Sequence, residues 1–442
     1  MLRRMLMLLV IVSATALAQN APTKTTLIKA GRLLDVKAGV YLMNQGVLIA
    51  GDRVQEVGAF EAVKARAPLD AEVIDLGQAT LLPGLIDCHG HLLSAMEGRW
   101  FPAGEAIVLT LTRVGPAKRA LIGAANARSM LEAGFTTVRN VGHSGVNGAA
   151  ALRDAINEGL IPGPRVLAAC RKLTPIGGQA VELRTENDAI IAEEFLTIGS
   201  PDEARRAVRQ ALADGADVIK VVVDDNKRIL NAAEVRAIVE EAHRGNVKVA
   251  VHATTVAGIQ AAIDGGVDSI EHADDATEEQ FRAMRDKGIF LDPTLWTSQI
   301  IRDIYLKSLY FSPEQTAGFE KAVEQYIGLS KAKLKLALKT SVKLAAGSDM
   351  WVHYPGKKRG EATMMMFEAL VDAGLSPLEA IRAATTNAAE LLGWQDRLGS
   401  IEANKFADLI AVPGDPLKDI NELKRVKFVI KGSEVIKHEL AK

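Results

Sequence analysis

Cysteine is almost absent from this chain of 442 residues, which contains only Cys88 and Cys170. Two cysteines cannot build a disulfide framework, and their separation does not match a C-x-x-C metal or redox motif. An excess of charge of one sign is also missing, because 53 Lys and Arg residues balance 54 Asp and Glu residues. The composition therefore argues against nucleic acid and against an anionic membrane surface as partners.

Long apolar runs are scarce as well. Beyond the N-terminus no run of about 18 apolar residues occurs, so we expect no membrane-spanning helix. At the N-terminus, Arg3 and Arg4 precede the apolar run 5–12, and alternating alanines follow as far as Ala18. This order is typical of a secretory signal peptide. We therefore expect a signal peptide over residues 1–18 and a periplasmic or secreted protein.

The length favours a large domain accompanied by a smaller one. Short apolar strands separated by turns occupy residues 23–82, and the same pattern returns at residues 396–442, which predicts one β-sandwich domain built from both chain ends. Between them, residues 83–395 alternate strands with helices. The strands end at His91 or cover 136–141, 165–170, 217–223, 248–252, 268–272, 289–292 and 343–347. Eight β/α units in a row predict an α/β fold with a (β/α)8 TIM-type barrel.

Candidate metal ligands lie at the ends of these strands. Asp87, His89 and His91 in DCHGH are spaced so that all three side chains lie on one face of a strand. Two imidazoles from one strand end can bind the same metal ion. Because active sites of such barrels lie at the C-terminal strand ends, we add the residues in the corresponding places: Lys220, His252, His272 and Asp349.

With these motifs the chain resembles the amidohydrolase superfamily, and within it the two-metal branch similar to prolidase and imidazolonepropionase. The resemblance is carried by DCHGH, TTVRN, DVIKVVVD, VHATT, SIEHAD, GSD and ADLIAVPGDP. It implies two divalent ions, most often zinc, and carbon dioxide as the source of a carbamate on Lys220. In that pattern His89, His91 and Asp349 bind one ion, His252 and His272 bind the other, and carboxylated Lys220 bridges both.

Lys220 suits this role on physical grounds. Alternation in VIKVVVD directs its side chain into the barrel, where a buried ammonium is costly. Neighbouring cations would lower its pKa, and the resulting neutral amine can add carbon dioxide. The alternative is an ordinary ion pair with Asp224 or Asp225.

The remaining candidates are a catalytic base, substrate-binding residues and a structural ion pair. By the family pattern Asp349 contacts both metal and water, and we assign it as the catalytic base. His143 either binds the substrate carbonyl or is simply exposed, and His353 and Arg359 are candidates for substrate binding. We expect Asp87 to pair with Arg139 beneath the metals.

Loops at the catalytic rim are rich in aromatic and cationic residues, which predicts an apolar pocket and a site for a carboxylate. The aromatic candidates are Trp100, Trp296 and Trp351, and the cations are Arg99, Arg171, Lys172, Lys357, Lys358 and Arg359. The chain departs from prolidase-like relatives at Thr254, where they often carry Tyr, and at Gln179, where they often carry His.

The sequence thus predicts an exported, metal-dependent amidohydrolase, often homo-oligomeric in this branch. It would cleave an amide bond in a dipeptide or N-acyl amino acid with a free carboxylate, through a hydroxide that bridges the two ions. Three alternatives remain open: a lactone, ester or phosphotriester hydrolase on the same site, a one-metal deaminase or cyclic-amide hydrolase, and a non-catalytic binding protein.

The signal peptide yields a direct prediction. Cleavage after Ala18 leaves Gln19 as the first residue of the mature chain. N-terminal sequencing of protein from the periplasm or the medium of the producing cells measures this. An intact N-terminus on protein confined to the cytoplasm would contradict it.

Overall fold

Both ends of the chain contribute strands to one sheet. The structure, a computed structural model, describes residues 25–98, 103–179, 183–225, 228–306, 309 and 311–440, so the predicted signal peptide lies outside it. The strands of this sheet are β1 (Thr25–Asp35), β2 (Val40–Ala50), β3 (Arg53–Ala59), β4 (Glu72–Asp75), β5 (Thr80–Pro83), β19 (Leu409–Val412), β20 (Phe428–Lys431) and β21 (Glu434–His438). They are hydrogen-bonded in the order β21-β20-β19-β5-β1-β2-β3, and β4 pairs with β1.

The two chain ends meet at β5 and β19, which pair antiparallel. Side chains that alternate toward one face form a core of their own there, which includes Ile28, Leu81, Leu409 and Phe428, all fully buried. The predicted association of the chain ends is therefore confirmed, and hydrogen bonds connect all eight strands into one continuous sheet.

A parallel barrel occupies the middle of the chain. Its first seven strands are β6 (Leu85–Gly90), β8 (Phe135–Asn140), β9 (Arg165–Ala168) continued by β10 (Lys172–Pro175), β12 (Val218–Val222), β15 (Lys248–Ala253), β16 (Ser269–His272) and β17 (Phe290–Asp292). Short strands outside this series are β7 (Met96–Glu97), β11 (Phe195–Ile198), β13 (Asp224–Asp225), β14 (Arg228–Ile229) and β18 (Val352–His353). Parallel pairing runs β6-β8-β9 and β10-β12-β15-β16-β17, which confirms the TIM-type fold.

Two barrel strands are irregular. The third strand bends between β9 and β10. At the end of β9 the Ala168 carbonyl accepts from the N–H of Asp217 (2.7 Å), the residue before β12. The eighth, predicted at residues 343–347, forms only a parallel bridge between Leu344 and Leu291. The Cys88 N–H donates to the Ala346 carbonyl (2.9 Å) and so closes the ring onto β6. Segments this short make too few ladder bonds for a regular strand.

Helices cover the barrel. They are α1 (Phe60–Lys64), α2 (Ala103–Arg113), α3 (Pro116–Glu132), α4 (Gly148–Asn157), α5 (Asp188–Ala192), α6 (Pro201–Ala213), α7 (Ala232–Arg244), α8 (Val256–Gly265), α9 (Glu278–Lys287), α10 (Ser298–Tyr305), α11 (Pro313–Thr340), α12 (Arg359–Thr363), α13 (Met365–Asp372), α14 (Pro377–Ala383) and α15 (Thr386–Leu391). Local signals set several starts: Asn231, Thr277 and Ser312 form capping boxes. Among the described helices, none has the length and apolar character needed to cross a bilayer.

A buried ion pair fixes the sheet to the barrel. Arg165, which opens β9, donates to both carboxylate oxygens of Asp408 (2.8 and 3.0 Å). Its guanidinium also lies 3.7 Å from the ring centroid of Phe406. Charge-assisted, bidentate geometry makes such a pair strong, so the N-terminal end of a barrel strand holds the C-terminal sheet in place.

Candidate metal centre

The predicted ligands converge at the C-terminal ends of the barrel strands. His89 lies in β6, and the Lys220 Nζ in β12 lies 3.5 Å from the His89 Nε2. The ring centroid of His272 lies 5.4 Å from that of His89 and 4.5 Å from that of His252. The centroid of His91 lies 5.1 Å from that of His89. Five side chains from four strand ends thus form one cluster.

Asp349 completes the cluster from the loop after the eighth strand. Its Oδ1 lies 3.1 Å from the His91 Nε2 and 3.5 Å from the His89 Nε2. Ligand atoms of His89, His272 and Asp349 all lie within 4.8 Å of one another. A single divalent ion can be bound by atoms this close together.

Hydrogen-bonding groups on the far side of the rings orient three of the histidines. The Nδ1 of His91 lies 3.1 Å from the Gly142 carbonyl oxygen, which can only accept, so Nδ1 carries the proton. The Nδ1 of His89 lies 2.7 Å from Glu271 Oε2, and that of His272 lies 2.7 Å from Thr294 Oγ1. The carbonyl and the carboxylate leave the Nε2 of His91 and of His89 with a free electron pair, as metal-binding histidines require. The Thr294 hydroxyl, which can donate or accept, fixes the orientation of the His272 ring.

The donor set fits divalent metal ions. With its proton on Nδ1, the Nε2 of His91 presents an electron pair to the Asp349 carboxylate oxygen at 3.1 Å. Two electron-pair donors at this distance repel each other unless a cation lies between them. Imidazole nitrogens with a carboxylate are ligands that zinc prefers. His89, His91, His252, His272, Lys220 and Asp349 are the residues that would hold the metals.

Burial keeps His89, His252 and His272 neutral. Desolvation, reinforced by the positive charge of Lys220, lowers the pKa of His252 to about 3. The pKa values of His89 and His272 are held well below their usual range by burial, with nearby cations adding to the effect. Neutral imidazole is the form that binds metal.

Among the described residues, Lys220 forms no ion pair with Asp224 or Asp225, the alternative that the sequence left open. Asp224 accepts hydrogen bonds from the Thr254 and Thr255 backbone N–H groups (3.0 and 2.8 Å), and Asp225 pairs with Arg228. The Lys220 side chain is 3% exposed, and burial lowers its pKa to about 8. An amine in this state is partly neutral near physiological pH, as carboxylation requires.

A layer of buried charges lies beneath the metal ligands. Arg139 donates to both oxygens of Glu271 (2.9 and 3.0 Å) and to Ser269 Oγ (2.9 Å). The expected pair of Asp87 with Arg139 is wrong. Asp87 instead accepts from the His89 and Ser348 N–H groups (3.0 and 2.9 Å), because the closing strand brings residue 348 next to β6.

Sequence reasoning missed Glu271, which both orients His89 and receives Arg139. Alternation along β16 directs Ser269 and Glu271 inward, and strict alternation would direct His272 outward. A left-handed φ of 71° at His272 breaks the alternation. The side chains of Glu271 and His272 therefore both contact His89. An acidic residue directly before His272, inside a predicted barrel strand, was the available signal.

Backbone strain is concentrated at the same rim. His143, His272, Thr294 and Asp349 have φ angles of 56°, 71°, 47° and 45°. Non-glycine residues rarely adopt such angles, and their clustering is typical of functional sites. Gly347 is needed for another reason: a Cβ there would lie 2.1 Å from Asp292 Oδ2 and 2.4 Å from His89 Cβ.

His143 lies at the metal centre, as its predicted loop position requires. Its ring centroid is 4.7 Å from that of His91, and burial, followed by the charge of Lys172, lowers its pKa well below the usual range. The loop is held by Glu194, which accepts from the Ser144 and Gly145 N–H groups (3.0 and 3.1 Å).

The other two substrate-binding candidates lie elsewhere. Arg359 donates to the carbonyls of Met350 and Val352, so its guanidinium binds the backbone of its own loop. His353 is exposed, because β18 pairs with β7 and turns the loop outward. Both line a cavity of about 460 Å³ against α3 that contains none of the metal ligands. This arrangement does not support their predicted role at the metal centre.

An aromatic pocket of about 340 Å³ adjoins the metal centre. Besides His272 and Asp349 it is lined by Trp296, Tyr305, Phe319, Tyr326 and Trp351. The two indoles stack with centroids 6.4 Å apart, and Trp296 donates its Nε1–H to the Ser348 carbonyl (2.9 Å). The apolar pocket predicted from Trp296 and Trp351 is thus present; Trp100 and Arg99 lie outside the described residues.

Comparison with known proteins identifies the family. The model of the amidohydrolase family matches residues 80–436, so the chain belongs to this family. It is similar to ochratoxinase of Aspergillus niger, at 30% identity over 95% of this chain and 88% of that protein. It is also similar to imidazolonepropionase of Clostridium tetani, at 22% identity over 83% of this chain and 84% of that protein.

Solved structures agree with this assignment. A Xaa-Pro dipeptidase with methionine bound in its active site matches with a TM-score of 0.79 and 31% identity, over 94% of this chain and all (100%) of that chain. The structure of A. niger ochratoxinase matches with a TM-score of 0.77 and 27% identity, over 95% and 96% of the two chains. The protein is therefore a hydrolase that acts on carbon–nitrogen bonds, and the alternative of a non-catalytic binding protein is set aside.

The position of Lys220 generates a test of the metal centre. Lys220→Ala removes the proposed bridge, and we expect the metal content to fall well below two ions per chain with nearly complete loss of activity. Short carboxylic acids should partly restore both by replacing the carbamate.

Metal analysis of dialysed protein measures this effect, with Lys335→Ala on the exposed side of α11 as the matched control. A Lys220→Ala variant that keeps two metals and normal turnover would show that Lys220 is not a ligand.

Proposed function

We propose that this protein is an exported amidohydrolase that cleaves the amide bond of a dipeptide or an N-acyl amino acid with a free carboxylate. The observation that carries the proposal is the position of Asp349, which belongs both to the metal cluster and to the aromatic pocket. The names of the similar proteins, a Xaa-Pro dipeptidase and an ochratoxinase, support hydrolysis of a small molecule. Zinc and a carboxylated Lys220 are part of the same proposal.

The metals supply one element of the chemistry: when bound, divalent ions polarise the scissile carbonyl and make water a nucleophile at neutral pH. The protein side chains do the rest. Asp349 is 19% exposed at its side chain, so it reaches both the cluster and an incoming substrate. Its carboxylate takes the proton from the attacking water and returns it to the leaving nitrogen.

His143 and the aromatic pocket orient the substrate. The imidazole of His143, next to His91, donates a hydrogen bond to the carbonyl oxygen as negative charge develops there. The pocket around Trp296 and Trp351 takes the apolar acyl side of the substrate and excludes water from the reacting bond. A pocket of about 340 Å³ has room for an aromatic ring on that side.

Asp349→Asn tests the base. The amide retains a ligand oxygen but cannot accept the proton, so turnover should fall by about 10² or more while much of the metal remains. Steady-state kinetics and metal analysis on the same preparation measure both quantities. Asp275→Asn, an exposed aspartate in the loop after β16, is the matched control; unchanged turnover of Asp349→Asn would remove Asp349 from its role.

The carboxylate requirement is tested with matched substrates. A screen of dipeptides and N-acyl amino acids on the zinc-loaded enzyme first identifies a substrate, with the corresponding esters included. Capping the carboxylate of that substrate as an amide should lower kcat/KM by more than tenfold. A change within about threefold, which is less than roughly 0.7 kcal/mol of transition-state binding, would mean that no carboxylate site exists.

A further inference from the structure

Lys172 is a buried cation beside the metal centre that the mechanism above does not use. It opens β10, its side chain is 1% exposed, and its Nζ donates to the Gln179 Oε1 (2.9 Å). The ammonium also lies 4.8 Å from the ring centroid of Phe195. Within the part of the chain that the structure describes, no carboxylate lies at ion-pair distance from it. Burial lowers the pKa of Lys172 to about 8, although the charge of Glu194 opposes this effect. A buried amine with one hydrogen bond and no direct ion pair would be stabilised as an ammonium by a further anion.

The location of Lys172 relates it to the substrate. Its side chain packs against Gly142, where an added Cβ would lie 2.7 Å from the Lys172 Cδ. The carbonyl of Gly142 holds the His91 ring, and the next residue is His143. Lys172 also contributes to lowering the pKa of His143, after burial. The Lys172 side chain therefore lies next to the loop that carries His143 to the metal centre.

The other rim cations among the described residues are engaged or lie elsewhere. Arg171 donates to Asp214 (2.8 Å), and Arg359 binds its own loop. Lys357 and Lys358 line the separate cavity against α3.

We propose that Lys172 binds the free carboxylate of the substrate, an assignment that rests on the proposed function. Gln179 is half-buried and accepts a single hydrogen bond from the Lys172 Nζ (2.9 Å), so a substrate carboxylate can take the place of its amide oxygen. A charge-assisted hydrogen bond is about twice as strong as the neutral one it replaces. The exchange also gives Lys172 a direct ion pair.

The proposal sets the direction in which the substrate binds. The aromatic pocket is lined by residues of the sixth to eighth barrel segments and of α11, whereas Lys172 belongs to the third strand. An amide bond over the metals therefore places its acyl group in the pocket and its carboxylate-bearing part toward β10. The substrate class is an amide with an apolar or aromatic acyl side and a carboxylate on the leaving amine.

Lys172→Met tests the assignment, because Met keeps the length of the side chain and removes its charge. We expect kcat/KM for Phe-Leu, or for the acid found in the screen, to fall about 100-fold, mainly through KM. For the C-terminal amide of the same substrate we expect a change within about threefold. Lys172→Arg should recover part of the preference for the acid, and Lys357→Met, an exposed lysine in the other cavity, should leave the preference unchanged.

Gln179→Glu is a second test that does not remove the buried charge. The new carboxylate would pair with Lys172 and compete with the substrate, so KM for the acid should rise more than tenfold while the amide is unaffected. Metal content and melting temperature of each variant show whether the fold is retained, and Gln179→Glu decides the question if Lys172→Met does not fold.

The outcomes separate the two proposals. A wild-type enzyme that does not prefer the acid over the amide contradicts the proposed function and this assignment with it. A wild-type preference that survives both Lys172→Met and Gln179→Glu contradicts the Lys172 assignment alone. An equal loss on both substrates would show that Lys172 only supports the fold.

Discussion

The hydrogen bond between His89 and Glu271 is the contact on which the metal centre depends. It fixes the imidazole tautomer, so that Nε2 faces Lys220 and Asp349. Glu271 is fully buried, a position that burial alone would make unfavourable for a carboxylate. The charge of Arg139, followed by that of Lys220 before it is carboxylated, outweighs this cost, and the pKa of Glu271 lies below its usual range. Metal binding by His89 thus depends on the compensation of the Glu271 charge by buried cations beneath the metal ligands.

Barrel closure is the second requirement, since ligands from five different strands meet only if the ring is complete. The eighth segment closes it with a few backbone bonds to each neighbour. Gly347 allows the backbone to pass next to His89 and Asp292. Immediately after it, the Ser348 N–H and hydroxyl bind Asp87, and Asp349 turns back through a left-handed conformation toward His91. A short strand can therefore position the proposed catalytic carboxylate, because neighbouring segments hold that strand on both sides.

Much of the site was predictable because its signals are local. The spacing in DCHGH, the lysine within VIKVVVD and the histidines closing two other strands are readable without any long-range contact. The alternation of strands and helices predicted the barrel for the same reason, and similar strand patterns at both ends predicted the shared sheet. The eighth strand was harder to predict because a segment with little regular pairing has a weak pattern.

The sequence by itself determined the kinds of ligand, their order along the chain and the fold that gathers them. Only the tertiary structure decided the partners: Asp87 with Ser348, Arg139 with Glu271, and Arg359 with its own loop. It also decided that Lys172 is buried next to the His143 loop and donates to Gln179, whereas Arg171, the residue before it, pairs with Asp214. The physical reason is that spacing within one strand sets the direction of a side chain, whereas its partner is set by the register and closure of strands far apart in the chain.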